Sequence, residues 1–304
     1  DTTLTGGDQI PQSAATALAH FHVVWDWLET RWPTHSWLGT NVPANVDVTS
    51  GACNAWYTSG TISFLQGSEG ACNNFGQIAD VLYHEVGHGI HHYILAGGTF
   101  AGDISEGSGD YVSATITGDP EVGPNAHWDG GYVREIESDR RLPDDATGEV
   151  HNDGLIWASF LWDLREQWAA DLGVEAGVEA TDVLFLGTLE QGPTLTDIYE
   201  AVVLADDDDG DLSNSTPHAC ELVELLNTHG LGPGPIGIVN FDHVPLGPQP
   251  SDAEGYAVEF DLANLTASCS DLDEDSVSLW TTTDPAVVPG EQPLEPDGDT
   301  GDAA

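Results

Sequence analysis

The segment His84-Glu85-Val86-Gly87-His88 constrains the fold of this chain more than any other part of the sequence. It lies within residues 75–96, where apolar side chains recur every three or four positions and predict a helix. Residues four apart lie on one helical face, so the two imidazoles can bind the same metal ion. Glu85, between them, is placed to hold and deprotonate a water molecule. The fold must therefore present this helix to a cleft and to a third ligand.

The third ligand has to come from outside the helix, because zinc at a catalytic site takes three protein side chains and keeps one position open. One known pattern needs a histidine six residues past His88, but Ile94 stands there. Eighteen residues past His88, Glu106 and Asp110 share one face of a helix predicted over 104–116. We expect Glu106 to bind the metal and Asp110 to accept the free ring N–H of a ligating histidine. A solvated carboxylate at the helix end is the alternative for Glu106.

These motifs resemble the gluzincin zinc metallopeptidases of the thermolysin and fungalysin type. Asn54-Ala55-Trp56-Tyr57 is similar to the family's edge strand, whose Asn-Ala pair binds the main chain of the substrate. Val150-His151-Asn152-Asp153-Gly154 is similar to the segment whose histidine stabilises the oxyanion, and Asp206–Pro217 is similar to a stretch of bacterial fungalysin-like proteins. The resemblance covers about residues 12–230. It implies an α+β, thermolysin-like zincin domain with a small β-sheet, an active-site helix and a mainly α-helical lobe.

The resemblance further implies a zinc-dependent peptidase, with Zn²⁺ as the cofactor and a protein or peptide as the substrate. Glu85 is then the general base and His151 the oxyanion donor. Aminopeptidase relatives carry a Gly-x-Met-Glu-Asn signature, and this chain contains no Met, so an endopeptidase is favoured. The sequence departs from the family in a short spacing between His88 and Glu106, in Ser105 where thermolysin has Asn, and in lacking a clear match for an assisting Tyr.

Two supporting roles stay open on the sequence alone. Asp144 or Asp145 is expected to orient His151, although a plain loop acid fits the sequence equally well. Arg134 is expected to donate to the substrate carbonyl. An ion pair with a neighbouring acid (Glu135 or Asp139) is its alternative.

Acidic residues outnumber basic ones by 52 to 5, which gives a net charge of −47. Without a basic patch the chain cannot neutralise phosphates, so nucleic-acid binding and docking on anionic membranes are excluded. No apolar run reaches the roughly 18 residues of a membrane span. Repulsion among so many negative charges destabilises the compact fold, so high salt or bound cations are expected to help the chain fold. A marine or halophilic source fits this charge.

One acidic run, between residues 206 and 211, suggests a Ca²⁺ site, since calcium prefers carboxylate oxygens in a glycine-containing loop. It does not follow the EF-hand register, because Ala205 stands where the first ligand belongs. A solvated run of charge is equally consistent with a chain this acidic. The candidate ligands are Asp206, Asp207, Asp208, Asp209 and Asp211.

Four cysteines allow three pairings, and the sequence does not fix which one forms. Cys53 with Cys72 is favoured, because this pair closes a short Gly/Ser-rich excursion. The cysteines and the acidity together indicate a secreted, extracellular protein, with four reduced thiols as the alternative, and the resemblance implies a bacterial one. The first residue is Asp rather than Met, which we interpret as removal of a signal and a pro-region. A monomer is expected.

The composition shifts after residue 230, at Gly232-Pro-Gly-Pro235. We predict a catalytic domain over 1–232, a β-rich segment over 233–283, and an acidic tail over 284–304 whose Pro, Asp and Gly content indicates disorder.

Two other functions are consistent with parts of the sequence. One is a binding or adhesive module, derived from a metallopeptidase, that depends on calcium and has lost turnover. The intact Glu85 argues against it, since a decayed site does not need a general base. The other is a zinc hydrolase that acts on something other than peptides, against which only the pair Asn54-Ala55 argues.

Overall fold

The computed structural model describes residues 11–95, 101–212 and 215–233 with their side chains, and farther along the chain the backbone of four strands. Within these residues, no helix is both long enough and apolar enough to span a membrane. A 3-10 helix (Phe75–Gln77) precedes α2. The helices are α1 (Gln12–Arg31), α2 (Ala79–Ile94), α3 (Gly102–Thr117), α4 (Val150–Leu172), α5 (Val174–Glu190), α6 (Ile198–Asp206) and α7 (Ala219–Thr228). The strands of the first half are β1 (Ala44–Val48), β2 (Ala55–Thr58), β3 (Thr61–Leu65), β4 (Glu121–Val122) and β5 (Arg134–Glu135).

The described residues fall into two units: the first lies within residues 1–207 and 222–234, and the second within 208–221 and 235–304. The second includes the strands β6 (Val239–His243) and β7 (Phe260–Asn264), which pair, and β8 (Ser278–Thr281) and β9 (Gly290–Pro293), which also pair. β9 lies in the tail that composition predicts to be disordered. Antiparallel pairing uses backbone groups and needs no large apolar side chain, which is why composition did not indicate this strand.

A small sheet of order β1-β3-β2 forms one wall of the first unit. β3 pairs in parallel with β1 and antiparallel with β2, and Ile62 and Phe64 of β3 are fully buried. β2 therefore lies at the edge of the sheet, with Ala55 opposite Phe64. This is the edge strand that the sequence predicted from its resemblance.

Glycines let α2, α3 and α4 approach each other closely. A Cβ at Gly87 of α2 would lie 2.6 Å from the Cα of Gly109 in α3. A Cβ at Gly107 would overlap the carbonyl oxygen of Gly154 in α4. Glycine has a low helix propensity, so it destabilises the helices at these positions. Because it lacks a side chain, it also allows the three helix backbones to pack closely. These contacts place the middle of α3 against α2, beside His84, and the start of α4 against α3.

A buried carboxylate ties α1, α3 and α5 together. Asp182 of α5 has no exposed surface and accepts hydrogen bonds from Trp27 Nε1 at 2.8 Å and Arg31 Nε at 3.0 Å, both in α1. From α3 it accepts the hydroxyl groups of Tyr111 at 3.0 Å and Thr115 at 2.7 Å. A buried carboxylate is stable only when its oxygens are satisfied in this way. Asp182 thus fixes α3, which carries two candidate site residues, against the helical core.

Candidate active site

α2 and α3 bring together the three side chains that the sequence predicts as metal ligands. His84 Nε2 lies 3.3 Å from Glu106 Oε2, and His88 Nε2 lies 3.8 Å from Glu106 Oε1. One potential ligand atom from each of the three residues lies within 4.8 Å of those of the other two. Glu106 Oε2 is buried and accepts no hydrogen bond from any residue in the described part of the chain. Two imidazoles and a carboxylate with an unsatisfied oxygen are a donor set that fits zinc.

Asp110 lies behind His84, where the sequence places it. Its Oδ1 is 2.8 Å from His84 Nδ1, and its side chain is fully buried. Burial raises the pKa of Asp110, but the charges of Arg134 and His84 outweigh burial and lower it below its ordinary range. An ionised carboxylate only accepts hydrogen bonds, so it selects the tautomer of His84 that carries a proton on Nδ1. The lone pair of Nε2 then faces Glu106.

His88 has a different partner behind it. Its Nδ1 lies 2.8 Å from the hydroxyl of Ser105, which is 3% exposed and immediately precedes Glu106. A hydroxyl can accept a hydrogen bond from Nδ1–H, and the lone pair of Nε2 is then free to bind a metal ion. The contact between Ser105 and His88 was not predicted from the sequence, in which Ser105 was noted only as a difference from thermolysin. Nothing in the order of residues indicated which imidazole ring Ser105 would contact.

Glu85 is buried, with 5% of its surface exposed, and it lines the same cleft as the three candidate ligands. Its Oε2 has no hydrogen-bond partner among the residues described by the structure. Burial raises the pKa of Glu85 to about 7, although the charge of His84 lowers it in part. A carboxylate with one free oxygen and a pKa near neutrality has the properties of a general base.

The carboxylate of Glu106 is ionised in this arrangement. Burial raises its pKa, but the nearby His84, 3.3 Å away, and the charges of His88 and His151 lower it to about 2. Glu106 is therefore ionised at neutral pH and can serve as an anionic ligand.

His151 lies in the first turn of α4, with Nε2 3.3 Å from Glu106 Oε1. Its Nδ1 is 2.6 Å from Oε1 of Glu149. The prediction that Asp145 orients His151 is corrected here, because Asp145 accepts a hydrogen bond from the backbone N–H of Arg141 at 2.9 Å instead. Asp144 likewise faces the side chain of Arg141, at 3.8 Å.

Glu149 holds this position because it caps α4. Its backbone is extended, with φ −104° and ψ 121°, and its carboxylate accepts the N–H groups of His151 at 3.3 Å and Asn152 at 3.0 Å. Capping carboxylates are stabilising at a helix N-terminus. One side chain thus starts the helix and contacts the ring of the histidine that the helix presents.

Arg134 forms a forked ion pair with Asp110. Its Nε and Nη2 lie 2.9 Å and 2.8 Å from the two oxygens of that carboxylate. The alternative partners that the sequence offered are not used within the described residues, and Glu135 instead accepts the hydroxyl of Tyr132 at 3.1 Å. The guanidinium lies 3.9 Å from Glu106 Oε2 and lines the cleft.

The cleft around these groups has a volume of about 460 Å³. The edge strand supplies one wall of it, and small and medium apolar side chains supply much of the rest. From β2 and the residue before it come Asn54, Ala55, Trp56 and Tyr57, and the apolar lining includes Phe75, Val81, Val122, Val133 and Val150. The edge strand and the candidate metal ligands therefore share one cavity.

The favoured disulfide between Cys53 and Cys72 is present. The acidic run crosses the boundary between the two units, and within it Asp209 Oδ1 accepts the backbone N–H of Asp211 at 2.9 Å. The calcium site at Asp206, Asp207, Asp208, Asp209 and Asp211 stays a prediction.

Comparisons with known proteins agree with this geometry. The family model described as thermolysin metallopeptidase, catalytic domain, matches residues 3–92. The precursor of protealysin, a metalloproteinase from Serratia proteamaculans, is similar in structure, with a TM-score of 0.61 and 16% sequence identity over 75% of this chain and 81% of that chain. No curated protein matches the chain. The two likenesses confirm the expected resemblance and the α+β, thermolysin-like fold.

Proposed function

We propose that this chain is a secreted, zinc-dependent endopeptidase that hydrolyses peptide bonds within proteins or peptides. The observation that supports it most is the convergence of His84, His88 and Glu106, whose ligand atoms lie within 4.8 Å of one another, in a cleft that also contains Glu85. The disulfide between Cys53 and Cys72 supports an oxidising, extracellular setting. A zinc ion bound by the three side chains supplies Lewis acidity, which polarises the substrate carbonyl and makes water more acidic.

Three other residues of the cleft then act on the water and the substrate. Glu85 accepts the proton of the attacking water through its free Oε2 and passes it to the leaving amine. His151 donates from Nε2 to the oxygen on which negative charge develops, and Glu149 holds the ring in that orientation. Arg134 donates to a substrate carbonyl, while its pair with Asp110 keeps the guanidinium in place.

The test uses Glu85→Gln, which keeps the shape of the side chain and removes the base. We expect purified wild-type protein to contain close to one zinc and to digest casein, with chelation abolishing digestion and zinc restoring it. The variant should keep its zinc and lose about 10²- to 10⁴-fold in turnover. An internally quenched peptide, blocked at both ends, separates endopeptidase from exopeptidase activity. A zinc-loaded Glu85→Gln variant with full activity would refute the assignment of the base.

A further inference from the structure

The disulfide between Cys53 and Cys72 joins the residue next to the cleft to a loop beyond β3. Cys53 immediately precedes Asn54 and Ala55, both of which line the cleft. Cys72 is 2% exposed. The bond thus links an exposed position at the start of the edge strand to a buried one.

The Cys72 end of this link is held firmly by main-chain hydrogen bonds. Cys72 and Ser68 exchange backbone hydrogen bonds of 3.0 and 2.9 Å. The next residue, Asn73, donates its backbone N–H to the carbonyl of Ala126 at 3.0 Å and its side-chain amide to that of Asn125 at 2.7 Å. The loop that carries Cys72 is therefore tied to a second segment and forms a rigid anchor.

The Cys53 end has less support of its own. Residues 49–53 belong to no helix or strand. Cys53 has a φ of +60°, a left-handed conformation that non-glycine residues adopt at a cost and keep only when the surroundings impose it. On the β2 side, the carbonyl of Asn54 accepts the N–H of Leu65 at 2.9 Å, and pairing with β3 begins at Ala55. The disulfide is thus a second restraint on the start of β2, besides β3.

We propose that the Cys53–Cys72 disulfide is a positioning element, which holds the start of β2 in line with the reaction centre. Loss of the bond should then weaken binding of peptides that extend along β2, while chemistry on a minimal substrate is preserved. This proposal rests on the proposed function, since it concerns how the same cleft holds its substrate.

The experiment compares the zinc-loaded wild-type chain with Cys53→Ser/Cys72→Ser on two substrates that share one scissile pair. One is a blocked dipeptide, and the other is a blocked hexapeptide that extends along the cleft. We expect kcat/KM for the hexapeptide to fall roughly tenfold, about the value of one main-chain hydrogen bond, with most of the change in KM. The value for the dipeptide should stay within about twofold of wild type.

Two controls separate positioning from stability. Val202→Ala removes buried volume in α6 and serves as a variant that is destabilised while its disulfide is kept. A Gly-Gly insertion between Cys53 and Asn54 keeps the cross-link but uncouples it from β2, and should reproduce the selective loss on the hexapeptide even if the double variant does not fold. Equal losses on both substrates, or no loss on either, would overturn the proposal. A wild-type chain that cleaves neither substrate would instead refute the proposed function.

Discussion

A single methyl group at Gly87 should disrupt the metal site. The Cβ of Gly87→Ala would lie 2.6 Å from the Cα of Gly109 and 3.2 Å from the carbonyl oxygen of Ser108. These neighbours are backbone atoms of α3, which cannot rotate away as a side chain can. Carbon atoms in contact are normally about 3.5–4.0 Å apart, so α2 and α3 must separate by about 1 Å.

That separation acts directly on the candidate ligands, because the histidines are on α2 and Glu106 is on α3. The carboxylate oxygens of Glu106 lie 3.3 and 3.8 Å from the Nε2 atoms of His84 and His88. Metal–ligand distances vary by only about 0.2 Å, so a shift of about 1 Å between the helices would take Glu106 out of the range of a bound ion. We expect zinc affinity to fall at least tenfold and kcat/KM about 100-fold. The protein should remain folded, since overpacking costs about 1–3 kcal/mol and the higher helix propensity of Ala offsets about 1 kcal/mol.

The assay is a competition titration of metal-stripped protein with a zinc-binding dye, together with thermal unfolding of the metal-free form. Gly187→Ala is the matched control. It makes the same chemical change in α5, where the three atoms nearest to the new Cβ all belong to Ala205 and the nearest, its Cβ, is 3.2 Å away. If Gly87→Ala binds zinc as tightly as Gly187→Ala does, the argument that helix separation controls the site is wrong.

Two further changes test other parts of the structure. Glu149→Gln keeps an oxygen that can cap α4 but removes the charge beside His151. We expect kcat to fall about tenfold while the melting temperature changes little. An unchanged kcat would show that Glu149 does not orient His151. Burial raises the pKa of Asp80 from 3.8 to about 6, so the folded state favours the protonated acid. The contribution of Asp80 to stability is therefore most favourable below pH 3.8 and declines as the pH rises to about 6. In buffer free of divalent cations, Asp80→Asn should therefore raise the free energy of unfolding by up to about 3 kcal/mol at pH 8 and hardly change it at pH 4, as urea denaturation will show.

The parts of the site that depend on local spacing were predictable from the sequence. His84 and His88 share a face because they are four residues apart on a helix, and Glu106 and Asp110 share a face for the same reason. The apolar periodicity over 75–96 was enough to place the first pair on a buried helix. Neither inference needed to know how the helices pack.

The partner of His151 was not predictable in the same way, because it depends on where α4 begins. The helix begins at Val150, which makes Glu149 its cap. This start places the carboxylate of Glu149 2.6 Å from Nδ1 of His151, while Asp145 accepts a hydrogen bond from the backbone N–H of Arg141. A carboxylate just before the motif was the available signal, since Asp and Glu are favoured at helix N-termini.

The glycines within α2, α3 and α4 are the step that joins local spacing to the assembled site. Each glycine inside a helix costs up to about 1 kcal/mol, so a chain that places them at Gly87, Gly107 and Gly109 needs a compensating contact. The close approach of α2 to α3 at Gly87 and Gly109, and of α3 to α4 at Gly107 and Gly154, supplies it. The same approach of α2 to α3 holds Glu106 beside His84 and His88. The distance from Glu106 to the two histidines therefore depends on the small residues beside it as well as on its own position in the sequence.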